Sequence, residues 1–354
     1  MKTESAYIRV YESIRNEIVN GTYAYGVKIP SKRVLAENYR VSVITAEHAL
    51  DLLEEEGYIE KRERSGSYVS YRSEDILSFV ETSRKHELFL PSEEELFPHS
   101  VYAKAVRSVL NEYGEELMLK TDSSGSFILR EAIASYLKRS RDMNVSSDQI
   151  VIGSGSEYLY ALVVGLLGTH RIYGIEDPSY EKIRAIYRSL AVRVDSLKLG
   201  DNGILTTELE RTPASVLHVT PYNSYPSGRS ADISKRQEYI RWAKAKDAYV
   251  IEDDYASELS SNLKVQKTLF ALEPDSHVIY MNTFTKTIAP SIRVSYMVLP
   301  DKATPQFLEM LRFRSCTVST LSQLTIAELL NNGSFERHLN RLRRKQRKDG
   351  HIGK

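Results

Sequence analysis

From Gln149 to Pro300, seven short β-rich runs restrict the fold of this chain more than any other feature. They read "QIVIG", "HRIYGI", "VRVDSLKL", "SVLHVT", "AYVIEDD", "HVIYMNTF" and "VSYMVLP". Between several of them lie helical patterns such as "SEYLYALVVGLL", "YEKIRAIYRSLA" and "SKRQEYIRWAKAKD". Strand-helix alternation of this kind predicts an α/β domain with a largely parallel sheet. Ligands of such sheets bind beyond the carboxyl ends of the strands, so the residues that follow each run deserve the closest reading.

Residues 1–72 follow a different pattern. "SAYIRVYESIRNEIVNG" places Ile8, Tyr11, Ile14 and Ile18 at helical spacing and stops at Gly21. "PSKRVLAENYR" offers Pro30 and Ser31 as a helix start, with Val34 and Leu35 expected to face inward. "VSVITAEHALDLLEEEG" begins with a Ser42 cap, keeps Ala46, Leu50 and Leu53 on one face, and ends at Gly57. "YIEKRERSGSYVSY" then alternates about Ser65-Gly66, the pattern of a β-hairpin. Three helices and a hairpin in this order predict a winged helix-turn-helix. Residues 73–100 are polar and acidic with few periodic cues, and read as a linker or an irregular arm of the next domain.

Bulk composition bounds the function classes. At 354 residues the chain exceeds the size of a single core, which agrees with two domains. With 42% hydrophobic and 27% charged residues it is of ordinary globular composition. A formal net charge of +1 means that any nucleic-acid site must be a local basic patch. Cys316 is the single cysteine, and no apolar signal core or membrane span is seen, so a cytoplasmic protein is expected. No metal site is expected.

The basic patch is found in the first domain. Lys28, Lys32, Arg33 and Arg40 crowd the second helix and the turn after it, while Lys61, Arg62 and Arg64 line the hairpin. Ser42 and Thr45 stand where the third helix would enter a major groove. The acids Glu54, Glu55 and Glu56 lie at that helix's far end. The stretch "GTYAYGVKIPSKRVLAENYRVSVITAEHALDLLEEEGYIEKRERSGSYV" resembles the GntR-type DNA-binding domain over nearly its whole length. That resemblance implies DNA contacts at Ser31, Arg33, Ser42, Thr45 and Gly66, and the basic patch adds Lys32, Arg40 and Arg64 as candidates. Val43 departs from the family, which often has Arg at that position.

In the second domain, polar residues follow the strands. Gly153-Ser154-Gly155-Ser156-Glu157 opens a helix and exposes backbone N–H groups to an anion, although such a loop also serves as a tight turn. Glu176-Asp177-Pro178-Ser179-Tyr180, "PYNSYPSG" with Asn223, and Glu252-Asp253-Asp254-Tyr255 follow in turn. Lys286 comes next, preceded by Thr285 and followed seven residues later by Arg293. One ligand would account for all of them. Pyridoxal phosphate needs a lysine for its aldehyde, an acid at its pyridine nitrogen, donors for its phosphate and an aromatic over its ring.

The order resembles the fold-type I aminotransferases, and more closely their MocR (GabR-like) regulator branch, on "EDPSY", "TPYNSYPSG", "VIEDDYASEL" and "FTKTIAPSIRVSYMVLP". The implied architecture is a winged helix-turn-helix at 1–72 and a fold-type I transferase-like three-layer α/β domain at 101–354. By the same likeness, that domain lacks most of its C-terminal small domain and the arginine that clamps a ligand carboxylate. The resemblance implies that Lys286 is the Schiff-base lysine and Asp253 the pyridine-nitrogen partner, with Asp254 as its rival. Tyr255 and Asn223 would serve the phenolic oxygen, Tyr180 would stack on the ring, and Gly155, Ser156, Thr285 and Arg293 would surround the phosphate.

The chain closes on "FERHLNRLRRKQRKDGHIGK", with seven Lys or Arg between Arg337 and Lys348. This reads either as a helix start or as an added nucleic-acid or membrane tail. The expected function is a DNA-binding transcription regulator that holds pyridoxal phosphate, senses an amino acid or amine, and works as a homodimer on an operator. The alternatives are a working aminotransferase with an accessory DNA-binding domain, and a DNA-binding protein with an empty scaffold.

Overall fold

The computed structural model describes residues 6–62, 65–71, 97–255, 257–259 and 267–352. Two compact units divide between Leu90 and Pro91. That division falls inside the expected linker, most of which lies outside the described residues.

In the first unit, helices α1 (Ala6–Val19), α2 (Lys32–Tyr39) and α3 (Val43–Glu55) precede strands β1 (Ile59–Arg62) and β2 (Gly66–Val69). The strands pair antiparallel from Ile59 opposite Val69 to Arg62 opposite Gly66, and Lys28 bridges to Tyr68. Val10, Ile14 and Ile18 of α1 pack with Leu35, Ala46, Ala49, Leu50, Leu53, Ile59 and Val69. One expectation is corrected here. Val34 is 45% exposed, and Ala36 rather than Val34 joins Leu35 inside. Neighbouring helical residues point about 100° apart, so a helix of this length buries a single narrow stripe.

The second unit holds helices α4 (His99–Tyr113), α5 (Phe127–Arg141), α6 (Ser156–Leu167), α7 (Glu181–Ser189), α8 (Thr206–Arg211) and α9 (Ile233–Lys246). Later come α10 (Leu269–Leu272), α11 (Thr304–Leu311), α12 (Thr320–Asn331) and α13 (Ser334–Ile352). Its strands are β3 (Ile150–Gly153), β4 (Ile172–Asp177), β5 (Arg193–Gly200), β6 (Gly203–Ile204) and β7 (Val216–Val219). They continue with β8 (Tyr222–Ser224), β9 (Arg229–Ser230), β10 (Tyr249–Asp253), β11 (Val278–Thr283) and β12 (Ser295–Val298).

Eight strands form one sheet in the order β3-β12-β11-β10-β7-β4-β5-β6. From β11 through β5 the neighbours are parallel, but β12 runs antiparallel to both β11 and β3. The sheet is therefore mixed at this edge. Eleven residues, 284–294, join β11 to β12 without a helix, too few for a crossover, so the chain returns antiparallel. That return is the segment that carries Lys286 and Arg293.

Alternate residues feed two cores. Ile150, Ile152, Val250, Val278, Tyr280, Tyr296 and Val298 pack on one side with Leu137, Trp242, Ile326 and Leu339 from helices. Val151, Ile251, Ile279, Met281 and Met297 pack on the other with Leu159, Ile183, Tyr187 and Phe307. Helix, sheet and helix make three layers. The basic segment after Phe335 is part of α13, where Phe335, Leu339 and Leu342 are buried and Arg343 Nε donates to Glu258 O at 2.7 Å. Through Leu342 it is a packed helix rather than an appended tail.

Candidate functional site

Pairing of Thr283 with Ser295, and of Ser295 with Gly153, brings the ends of β11 and β3 together with the start of β12. The neighbouring parallel strands β10, β7 and β4 end on the same edge of the sheet. Every candidate cofactor residue ends or follows one of these strands.

The pleat separates the two rival carboxylates at the end of β10. Asp253 is 4% exposed and lies on the side of α6 and α7. Its Oδ2 accepts from the Tyr160 hydroxyl and stands 3.4 Å from His218 Nε2. Burial holds the Tyr160 and Tyr187 hydroxyls far above their usual pKa, so both stay protonated. The Tyr187 hydroxyl meets His218 Nδ1 at 2.6 Å. When it donates there, the neutral ring carries its proton on Nε2, facing Asp253. Asp253 Oδ1 is buried without a hydrogen-bond partner among the described residues.

Asp254 points to the opposite side and is saturated. Its Oδ2 accepts from Tyr280 OH at 2.9 Å and pairs with Arg141 Nη2 at 3.3 Å, while Oδ1 accepts from Ser257 N at 3.1 Å. Burial opposes the charge on Arg141, but Asp254 and Glu258 outweigh it and hold the guanidinium firmly protonated. Glu252 is fully buried and accepts from Leu269 N (2.8 Å), Phe270 N (2.9 Å) and Tyr222 OH (3.1 Å). Desolvation pushes its carboxyl up to about 7.

Lys286 lies in the turn that follows β11 and is exposed. Thr285 closes this turn, donating from Oγ1 to Ile292 O at 3.0 Å and accepting from the Thr283 hydroxyl at 3.0 Å. Arg293, at the end of the same turn, lies against the start of α6. A Cβ placed on Gly155 would stand 2.6 Å from Arg293 Nη2, and Gly155 has φ +97. Gly155 caps α6 and Ser156 is its first residue, and the Gly155 N–H donates to Gly153 O at 2.9 Å. Arg293 Nη2 is 3.6 Å from the Glu157 carboxylate.

Tyr255 and Asn223 meet directly: the Tyr255 hydroxyl donates to Asn223 O at 2.7 Å. Burial raises the Tyr255 pKa to about 12. Asn223 has φ 137, a strained conformation held by the anchors of its loop. Glu176 supplies these anchors, accepting from Thr220 N (3.2 Å), Thr220 Oγ1 (2.5 Å) and Ser224 Oγ (2.6 Å). Tyr180 is exposed and meets Tyr225 edge-to-face at 5.9 Å. Sequence reading missed Tyr160, Tyr187 and His218, and it placed Glu176 at a strand end without giving it this anchoring role. The histidine inside the apolar run "SVLHVT" was the one available signal.

In the first unit, Ser31 caps α2 by accepting from Val34 N at 3.5 Å. Arg33 and Arg40 are exposed, and Arg40 ends α2 in the left-handed region at φ 53. Lys32 pairs with Glu47 at 2.5 Å. Ser42 Oγ accepts from Thr45 N at 3.0 Å and is 2.7 Å from Thr45 Oγ1. Gly66 has φ +117 and lies against Lys28, whose Cε would be 2.6 Å from an added Cβ. Lys61 pairs with Asp51 and, at 2.8 Å, with Glu54, so its charge is largely spent inside the unit. Arg64 lies outside the described residues. Among the described residues, no helix is long and apolar enough to cross a membrane, and no cluster of three or more His, Cys, Asp or Glu forms a metal site.

Residues 6–69 match the model of bacterial regulatory proteins of the gntR family, and residues 92–350 match that of aminotransferase class I and II. The chain is 30% identical to the uncharacterized HTH-type transcriptional regulator YdeL of Bacillus subtilis, over 97% of this chain and 77% of that protein. It is 26% identical to the probable rhizopine catabolism regulatory protein MocR of Rhizobium meliloti, over 95% and 74%. Among solved structures, the α-aminoadipate aminotransferase LysN of Thermus thermophilus, complexed with N-(5'-phosphopyridoxyl)-L-leucine, superposes with TM-score 0.64 at 26% identity. That match covers 72% of this chain but only 66% of the enzyme.

Proposed function

We infer, because the chain belongs to the gntR family of bacterial regulatory proteins in its MocR-type branch with an aminotransferase class I and II domain, that it is a DNA-binding transcription regulator controlled by an amino compound. In this reading its second unit binds pyridoxal phosphate and serves as the sensor. One observation carries the cofactor assignment: Asp253 Oδ1 is a buried carboxylate oxygen without a partner among the described residues, while its neighbour Asp254 has both oxygens engaged. A buried unpaired acceptor is costly, and the N–H of a protonated pyridine nitrogen would satisfy it.

The remaining residues fit the group. Ser156, the first residue of α6, would offer its backbone N–H to the phosphate, with Gly155, Arg293 and Thr285 beside it. Gly155 also leaves room that a side chain would take from the guanidinium. Tyr255 and Asn223 would bind the phenolic oxygen, Tyr180 would cover the ring, and the Lys286 amine would hold the aldehyde. When bound, pyridoxal phosphate supplies an aldehyde that bonds primary amines and a ring that draws electrons from them. Tyr160 and His218 hold Asp253 through Oδ2 and keep Oδ1 aimed away from them. An incoming amine competes with Lys286 for one position, so occupancy of the site differs between two states that a second ligand can read.

In the first unit, Ser31, Lys32, Arg33, Arg40, Ser42, Thr45, Arg64 and Gly66 would contact an operator, with cations on phosphates and the start of α3 in the major groove. Two copies of the chain would read two half-sites, in the cytoplasm. A transaminase is the competing reading, since the solved neighbours are enzymes. The test gives the purified chain pyridoxal phosphate, 2-oxoglutarate and each common amino acid in turn, and measures keto acid beside retention of randomised DNA duplexes. Retained DNA without keto acid supports the regulator; steady turnover without DNA retention contradicts it.

A further inference from the structure

The outward side of the first turn of α3 is apolar. Val43 and Ile44 are its first two residues and are 41% and 67% exposed, while Ala46, Ala49, Leu50 and Leu53 fill the core side. Neither residue therefore serves the packing of its own unit. β-Branched side chains are also weak helix formers, so the helix start gains nothing from the pair.

The polar groups around them are already committed. Ser42 Oγ accepts from Thr45 N, and one hydroxyl proton is shared between Ser42 Oγ and Thr45 Oγ1 at 2.7 Å. Two hydroxyls hold two protons, so a single O–H remains to reach a base edge. Glu47, one turn further along α3, is held by Lys32 at 2.5 Å. Exposed Arg33 and Arg40 flank this helix start in sequence, and Arg62 lies over the Tyr68 ring at 4.7 Å on the hairpin. A cationic frame around an apolar knob matches a duplex, whose backbone is anionic. On the major-groove edges of the bases, the apolar group is the C5-methyl of thymine.

We propose that Val43 and Ile44 read thymine methyl groups, so that each operator half-site carries A·T pairs where it faces the start of α3. The proposal rests on the DNA-binding reading given above and adds the base chemistry that the site prefers. It replaces hydrogen-bond readout, for which this helix start has one free hydroxyl proton, by contact with a methyl group.

The test selects sites from randomised duplexes with the full chain, then exchanges each dT of a selected site for dU, which removes only the methyl. The expected result is at least one dT per half-site whose exchange weakens binding about threefold to fivefold, the effect of burying one methyl. Ile44→Ser should retain its melting temperature, because the side chain is exposed, and should bind dT and dU duplexes equally. Arg33→Ala should weaken both duplexes alike. Selected sites that tolerate dU at every position overturn the proposal and leave DNA binding intact, as does a folded Ile44→Ser that still prefers dT. If the full chain selects no sequence at all, the proposal and the DNA-binding reading fail together.

Discussion

Adjacent residues at the end of β10 have opposite fates because a strand pleat sends them to opposite faces. Asp254 pairs with Arg141 and takes the Tyr280 and Ser257 donors, whereas Asp253 Oδ1 has no hydrogen-bond partner among the described residues. Their substitutions should therefore differ in kind. Asp254→Asn leaves Arg141 without its closest carboxylate and should lower stability by about 3 kcal/mol in urea denaturation, because breaking a buried pair strands the remaining charge. Asp253→Asn should leave the urea midpoint nearly unchanged and weaken pyridoxal phosphate binding about tenfold or more, as loss of a charge-assisted hydrogen bond implies. The sequence "EDDY" left the two acids as rivals. Their spacing carries no phase, and only the neighbouring strands and helices supply it. Tyr160 was illegible for the same reason, since it reads as core until its partner across the sheet is known, and His218 showed only as a histidine inside an apolar run.

At the scale of elements, most of the sheet was legible because each buried strand is a compact apolar run. The antiparallel course of β12 was not, since direction is set by the length and path of the connection rather than by the strand's own residues. That connection brings Arg293 against Gly155, at the start of α6. Gly155→Ala requires a side chain at φ +97 and 2.6 Å from the guanidinium, so it should lower cofactor affinity, measured by absorbance titration, while the fold survives. Glu252 ties β10 to α10 and gives the unit a pH dependence. Its folded pKa is about 7, above the ordinary 4.5, through burial, and Glu258 shares this shift. A raised carboxyl pKa favours the protonated folded state, so its stabilisation is complete below pH 4.5 and is lost as pH rises through 7. Urea denaturation of the wild type should show stability falling across that window. Glu252→Gln should remove Glu252's share, about 3 kcal/mol at most.

At the scale of the whole molecule, the sequence shows two patterns, and the structure shows two compact units. Helical spacing, caps and a hairpin glycine sufficed to read the first unit, because its core is local. What it did not reveal was which side of α2 and α3 would remain apolar and exposed, since Val34 reads like any core valine until the helix is packed. DNA binding by the whole chain should weaken steeply with salt. Arg33→Ala and Arg40→Ala should each reduce the log–log salt slope by about 1 if each removes one of the proposed phosphate contacts. Filter binding across a salt series would show it, and an unchanged slope would move the phosphate contacts elsewhere.

The most direct measurement adds pyridoxal phosphate to the purified full chain and records visible absorption, with Lys286→Ala beside it. The wild type should show a new band that is stable to dialysis and missing from the folded Lys286→Ala protein. No band in folded wild type, or the same band in both proteins, would contradict a cofactor held by Lys286 and remove the basis for a sensor built on Asp253.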